Sequence, residues 1–291
     1  MRWFGFLNIN KPSGYTSREV VDRVQWLIGR EKAGHAGTLD PLATGVLMVG
    51  VGRATRLIEY IQRMPKRYRA TFLLGQTSPS DDMEGEVTPL ENPPRPTRAD
   101  IEASLPRLIG HVSQRPPAYS AVHVDGRRAY ELARRGKRVE LAPRMVEIHS
   151  IEVCTYQYPE LVLEIVCGSG TYVRSIGRDL AELLGTGAVM SALVRRAIGQ
   201  FTIEEAVPLD DLTAENLPAH LIPAARAVSL LPSVVLEDDE VRRVLQGGSI
   251  RRTIASTDTE WAALDAGGNL AAILKRREDG SLGPTHAFPP E

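Results

Sequence analysis

The residue types best suited to chemistry sit together in Gly34-His-Ala-Gly-Thr-Leu-Asp-Pro-Leu-Ala-Thr-Gly-Val-Leu47, where one carboxylate, Asp40, shares a short segment with one imidazole, His35. Gly34, Gly37 and Gly45 interrupt what would otherwise be regular structure. Glycine admits φ > 0 and lets backbone approach a ligand closely. Pro41 removes a donor and biases Asp40 toward extended backbone. The product is a carboxylate on a stiff loop, just ahead of the apolar run Val46 to Val49. A group so held suits acid–base or nucleophilic work. Read alone, the Asp-Pro step equally suits a turn or a helix cap, with His35 an ordinary loop histidine.

The elements that must position this loop show in period and punctuation. Val20, Val21, Val24, Leu27 and Ile28 repeat at helical spacing, so Ser17 to Ile28 reads as a helix stopped by Gly29. Tyr68, Ala70, Phe72 and Leu74 alternate along a strand. After the proline-rich connector Pro89 to Pro96, Thr97 caps a helix with the stripe Ile101, Leu105, Leu108 and Ile109, ended by Gly110. Gln114 to Gly126 is a loop, followed by a short basic helix through Ala129, Leu132 and Ala133. Val146 to Val153 is a strand whose apolar phase slips after Ile148, which predicts a bulge. Leu161 to Val166 is apolar almost throughout, as a central strand is. Gly168-Ser-Gly170 then turns into a helix from Thr171 to Leu184. Strands mixed irregularly with helices argue for an α+β fold. From Leu230 onward, short strands at Val234 to Leu236, Trp261 to Leu264 and Leu270 to Leu274 accompany a helix at Asp239 to Leu245, suggesting a small β-rich module. The predicted domains are therefore 1–230 and 231–291.

At 291 residues the chain can bury one large core or two smaller ones. A hydrophobic content of 43% with 24% charged residues is that of a globular protein, and no apolar run is long enough to span a bilayer. The first residues lack a signal peptide's apolar core. Cys154 and Cys167 lack zinc or redox spacing and read as a buried, reduced pair, consistent with cytoplasm. A net charge of −1 does not advertise a nucleic-acid binder, but its distribution is uneven. Nine cations fall between Arg107 and Arg144, against Asp125, Glu131 and Glu140, with Tyr119 and Tyr130 among them. Such a run is either a solvated face or a track for a phosphate backbone.

The string around Asp40 resembles the G-H-x-G-T-L-D-P-x-A-T-G signature of the bacterial tRNA pseudouridine-55 synthases, the TruB family, whose Asp is catalytic. Further segments agree in the expected order over nearly the whole chain. Cys167-Gly-Ser-Gly-Thr-Tyr-Val-Arg-Ser175 is similar to C-x-x-G-T-Y-x-R-S, which implies that Arg174 partners Asp40 and favours its ionised form, and that Tyr172 lies on the substrate side. Lys66-Arg-Tyr-Arg-Ala70 matches K-x-Y, which implies that Tyr68 stacks on the uracil and takes the C5 proton. Asn10-Lys-Pro-Ser-Gly14 matches K-P-x-G and puts Lys11 and Pro12 beside the site. Asp82, counted back from Gly85, falls at the acid of D-T-x-D-x-x-G; Ser78-Pro-Ser80 departs from the family's T-D-T, so Asp81 competes for that position. By the same resemblance His35 enters the T-loop and Leu193 floors the uracil pocket. Gln114 to Ala121, Gly126 and Arg128 to Ala133 resemble an RNA-gripping insertion, about 112–144, offering Arg127, Arg128, Arg134, Arg135, Lys137 and Arg138 to the T stem-loop. His123 stands where a Lys is common.

The implied reaction breaks the N-glycosidic bond of a uridine, turns the base and joins C5 to C1′. It needs no redox step, and hence no cofactor and no metal. Asp40 would either attack C1′ or remove the C2′ proton; the residues leave both open. The base must first leave its stack. The implied fold is a mixed, largely antiparallel sheet flanked by helices, with a PUA-like C-terminal domain, in a cytoplasmic monomer whose partner is tRNA rather than membrane. Two competitors are an RNA-binding or RNA-folding protein without turnover and a related synthase acting on another uridine. A glycosidase would need paired carboxylates, and the sequence shows no second one under comparable constraint.

Overall fold

Helix α1 (Ser17–Leu27) forms where the apolar repeat demands it, and its start is sealed by a capping box in which Thr16 Oγ1 accepts from the Glu19 amide and the Glu19 carboxylate accepts from the Thr16 amide. Val20, Val21 and Val24 pack on Leu7, Ile9, Leu47 and Val49 of the two strands that flank α1, β1 (Phe4–Lys11) before it and β3 (Thr44–Gly52) after it. The short β2 (Ala33–His35) lies between α1 and β3. The computed structural model describes residues 3–117, 119, 141–252 and 257–289, together with the backbone of 123–124 and 127–128.

The chain continues through α2 (Ile58–Arg63), β4 (Lys66–Leu74), the paired β5 (Gln76–Thr77) and β6 (Thr88–Pro89), α3 (Arg98–Ser104) and β7 (Gly110–Gln114). Then come the two-residue strands β8 (His123–Val124) and β9 (Arg127–Arg128), β10 (Arg144–Gln157), β11 (Glu160–Cys167), α4 (Val173–Leu183) and β12 (Ala188–Ile198). Short strands β13 (Phe201–Thr202), β14 (Val207–Pro208) and β15 (Ile222–Pro223) complete this part. The main sheet runs β14-β1-β3-β12-β4-β11-β10-β7. Its pairings are antiparallel except β1–β14 and β3–β12. The β3–β12 contact is only two residues long, Val194 to Thr44 and Arg195 to Gly45, and the Asp40 loop enters the sheet there. On the face of α4, Phe72, Leu163 and Ile165 pack against Ile176 and Leu180. The approach is close enough that a Cβ on Gly177 would lie 2.2 Å from the Phe72 ring.

The second sheet comprises β16 (Ser233–Val235), β17 (Glu260–Leu264), β18 (Leu270–Arg276) and β19 (Leu282–Ala287) in that order, covered by α5 (Asp238–Leu245). Val234, Leu236, Val244, Trp261, Leu274 and Leu282 form its own core. It docks on the main body through the stacked rings of Phe4 and Phe288, 4.9 Å apart, and a hydrogen bond of 2.6 Å from Arg53 to the Pro289 carbonyl.

Several sequence expectations need correction. The helix after Thr97 stops at Ser104, a 3-10 turn carries Leu105 to Leu108, and Ile109 is 38% exposed rather than part of the buried stripe. β10 bears the predicted shift between Ile148 and Ser150 and a second between Val153 and Thr155. Cys154 sits at that second shift and is exposed, so only Cys167 is buried. β19 escaped the reading because Gly283 and Pro284 break its pattern; as an edge strand it tolerates the proline. The basic helix expected through Ala129 to Ala133 lies outside the described residues.

Candidate active site

The loop between β2 and β3 is fixed by bonds to its backbone. Ser17 Oγ accepts from the Leu39 amide at 2.8 Å and donates to the Leu39 carbonyl at 3.0 Å. The Pro41 carbonyl accepts from the Gly14 amide at 2.9 Å and from Lys11 Nζ at 3.3 Å. Arg195 donates to the carbonyls of Gly37 at 3.0 Å and Val46 at 2.7 Å, one on each stem. A loop so heavily tied presents its side chain in one place, which is what a reacting group requires.

That side chain is Asp40. Its Oδ2 lies 3.2 Å from Nε of Arg174, on the first turn of α4. Arg174 is buried, contrary to the position of a surface cation on a helix's first turn, while the Asp40 carboxylate keeps 35% of its exposure. The same guanidinium donates through Nη1 to Asp82 Oδ2 and to the Ser80 carbonyl, both at 2.9 Å, and through Nη2 to the Tyr119 carbonyl at 3.1 Å. Asp82 is wholly buried, and its other oxygen accepts from Ser80 Oγ at 2.6 Å and the Glu84 amide at 3.1 Å. A second constrained carboxylate therefore exists, against the sequence expectation, but its oxygens are occupied and closed off. Asp81 faces away, at φ 60, and pairs with Arg178 at 2.8 Å.

Electrostatics at Asp40 follow from this sharing. Burial pushes its pKa above the ordinary carboxylate value; Arg174 pulls it down, Asp82 pushes it up and Lys11 pulls it down again. Arg174 thus favours the ionised form without outweighing desolvation, because Asp82 draws on the same charge.

Tyr68 is buried on β4, directly opposite Arg195 on β12 and Ile165 on β11. Burial raises its phenol pKa, and the positive charge of Arg195 opposes the rise. Leu193 pairs with Ala70 and joins Tyr68, Leu39 and Ala43 in one apolar cluster beneath the loop. His35, on β2, has its pKa lowered by burial and by Arg195 and Arg18, and its buried Nδ1 has no protein partner among the described residues. Tyr172 caps α4, with its amide donating to Gln114 Oε1 at 2.8 Å and its carbonyl accepting from Gln114 Nε2 at 3.1 Å.

Lys11 requires a correction. It is fully buried, and its ammonium donates to the carbonyls of Pro12, Tyr15 and Pro41, which uses all three protons. Burial lowers its pKa to about 8. It ties down the Asp40 loop and has no donor left for a substrate. Of the predicted RNA-binding cations, Arg127 and Arg128 are described only as backbone in a two-strand ladder with His123 and Val124. Arg134, Arg135, Lys137 and Arg138 lie outside the described residues.

Sequence reasoning missed Ser17, Gln114 and Arg195. Only Arg195 left a signal: in Leu193-Val-Arg-Arg196, strand alternation must turn one of two adjacent arginines inward. Among the described residues, no group of three or more His, Cys, Asp or Glu is placed to hold a metal ion. No helix there is long and apolar enough to cross a membrane.

The profile described as TruB family pseudouridylate synthase (N terminal domain) matches residues 25–173, spanning the Asp40 loop, Tyr68 and Asp82. The chain belongs to the TruB family of pseudouridine synthases. The profile described as the tRNA pseudouridylate synthase B C-terminal domain matches residues 174–232, beginning at Arg174. Among TruB relatives, a protein of Dehalococcoides mccartyi strain 195 named tRNA pseudouridine synthase B is 42% identical over 98% of this chain and 96% of its own. One of the same name from Thermobifida fusca is 40% identical, covering 98% of each. Among solved structures, a Cbf5-Nop10-Gar1 complex contains a chain that superposes with a TM-score of 0.77 at 26% identity, over 99% of this chain and 85% of that one. The α+β architecture is thus the pseudouridine synthase fold followed by a C-terminal β-rich module.

Proposed function

We propose that this chain isomerises uridine 55 in the T-loop of tRNA to pseudouridine. The observation that carries the reading is the partly open Asp40 carboxylate, held 3.2 Å from the buried Arg174 on a loop whose backbone is bonded on both sides. Family membership supplies the reaction class, and the relatives named tRNA pseudouridine synthase B support tRNA as the RNA.

With the base flipped out, Asp40 either attacks C1′ or removes the C2′ proton, and the glycosidic bond breaks. Arg174 orients the carboxylate and opposes the rise in its pKa that burial causes. The freed uracil turns on the surface made by Tyr68 and Leu193. C5 bonds to C1′ as the Asp40–C1′ bond breaks or, on the elimination route, as Asp40 returns the proton to C2′. Tyr68 then removes the C5 proton and N1 takes one up. Asp82 acts by holding Arg174, while Tyr172 lines the substrate side and His35 enters the T-loop. Arg127, Arg128, Arg134, Arg135, Lys137 and Arg138 grip the stem phosphates. The second sheet serves as a PUA-like RNA-binding domain over 231–291; the end of the second family profile at residue 232 and the start of β16 at Ser233 support that boundary.

The reading is tested by incubating an unmodified tRNA transcript with the protein and mapping carbodiimide adducts by primer extension. A new stop at uridine 55 is expected. Stops at another uridine alone would reassign the substrate position, and none at all would remove the reading.

A further inference from the structure

Arg195 is 1% exposed, on a strand built mainly of small and apolar residues. Burying a guanidinium is costly unless its donors are satisfied. Its side-chain hydrogen-bond partners among the described residues are the carbonyls of Val46, Gly37 and Thr38, at 2.7, 3.0 and 3.5 Å. The carbonyls belong to the two stems of the Asp40 loop. Directly across the ladder from Arg195 stands Tyr68, also buried.

The glycines of the loop record the same contact. Gly45 has φ +99, and a Cβ there would lie 2.3 Å from the Arg195 carbonyl oxygen. A Cβ on Gly37 would come to 3.6 Å from Arg195 Nη1. The loop presses against this one residue from both ends.

We propose that Arg195 is a positioning residue for the isomerisation, a single planar fork that holds both stems of the Asp40 loop in fixed register with Tyr68 on the neighbouring strand. The inference rests on the function proposed above. Two ends of one reaction must be served: a carboxylate at the sugar and a phenol at C5 of the turned base. They come from different strands, β4 and the loop before β3, and those strands are not neighbours in the sheet. β12 lies between them, and Arg195 is the residue of β12 that bonds to the loop and stands directly across the ladder from Tyr68. A rigid guanidinium can donate to several acceptors in one plane, which an ammonium on a flexible stem cannot reproduce. The positive charge is felt by the surrounding groups as well: it opposes protonation of His35, Lys11 and Lys66.

The test compares Arg195→Lys and Arg195→Gln with wild type on one tRNA transcript carrying tritium at C5 of its uridines. Single-turnover tritium release, RNA affinity by filter binding and thermal melting are measured for each. Release by wild type comes first; its failure would count against the proposed function and not against Arg195. With wild type active, both variants should fold and bind the transcript within about threefold of wild type. Their single-turnover rate should fall by about 100-fold, as expected when reacting groups are misplaced by an ångström or so. Arg195→Lys, which keeps the buried charge, decides alone should Arg195→Gln fail to fold. A Lys variant turning over at the wild-type rate, or a loss carried wholly by RNA affinity, overturns the inference. Failure of both variants to fold assigns Arg195 to stability alone and overturns it equally.

Discussion

At the scale of residues, two carboxylates divide one guanidinium, and the division sets their jobs. Asp82 is closed off with its oxygens bonded, whereas Asp40 keeps an open edge toward solvent. Because burial and Asp82 raise the Asp40 pKa, the reaction should lose rate as pH falls through a value above the ordinary carboxylate range, where Asp40 takes up a proton. The acid limb of single-turnover tritium release against pH measures this. Asp82→Asn removes the repulsion, so Asp40 should ionise more easily and the acid limb should move to lower pH. The plateau rate should drop about 10- to 100-fold, because Arg174 loses its charged anchor. An acid limb that stays put in Asp82→Asn would mean that another group titrates. Asp40 itself was legible from the sequence, since glycines and a proline announced its loop. Its electrostatics were not, because Arg174 and Asp82 are 92 residues apart in the chain and only the fold brings them to one point.

At the scale of elements, glycines mark where the sheet and helices approach most closely. Gly177→Ala would drive a methyl to 2.2 Å from the Phe72 ring beneath α4. It should cost about 1–3 kcal/mol, as overpacked cores do, read as a lower midpoint in denaturant. Gly168→Ala offers the contrast, with its nearest neighbour at 3.5 Å and φ outside the left-handed region, and should melt close to wild type. The elements themselves were legible where a period was sustained, as in α1 and β4. They were lost where local chemistry broke the period: Gly283 and Pro284 hid β19, and the 3-10 turn at Leu105 to Leu108 shortened the helix after Thr97. Arg195 was only half legible: alternation turns one of Arg195 and Arg196 inward without saying which. A charged residue in a strand reads as solvent-facing until the partners that satisfy it are known.

At the scale of the whole molecule, the second sheet docks through Phe4, Arg53 and Phe288, at the opposite end of β3 from the Asp40 loop. Phe288→Ala removes a buried ring from that junction and should destabilise it by about 3–5 kcal/mol. The expected signs are earlier proteolysis of the C-terminal module and weaker RNA binding, with the chemical step on saturating RNA nearly unchanged. A chemical step that collapsed along with binding would show that the module shapes the site itself. A change of character near residue 230 was legible in the sequence; the aromatic stack between Phe4 and Phe288, nearly the two ends of the described chain, was not.

The most direct test of the central claim is tritium release from C5-labelled uridine in unmodified tRNA, comparing wild type with Asp40→Asn. Release by wild type, and none above background by a variant that folds and binds RNA equally well, is the predicted result. Release by Asp40→Asn at the wild-type rate, or tight RNA binding with no release by either protein, would contradict it.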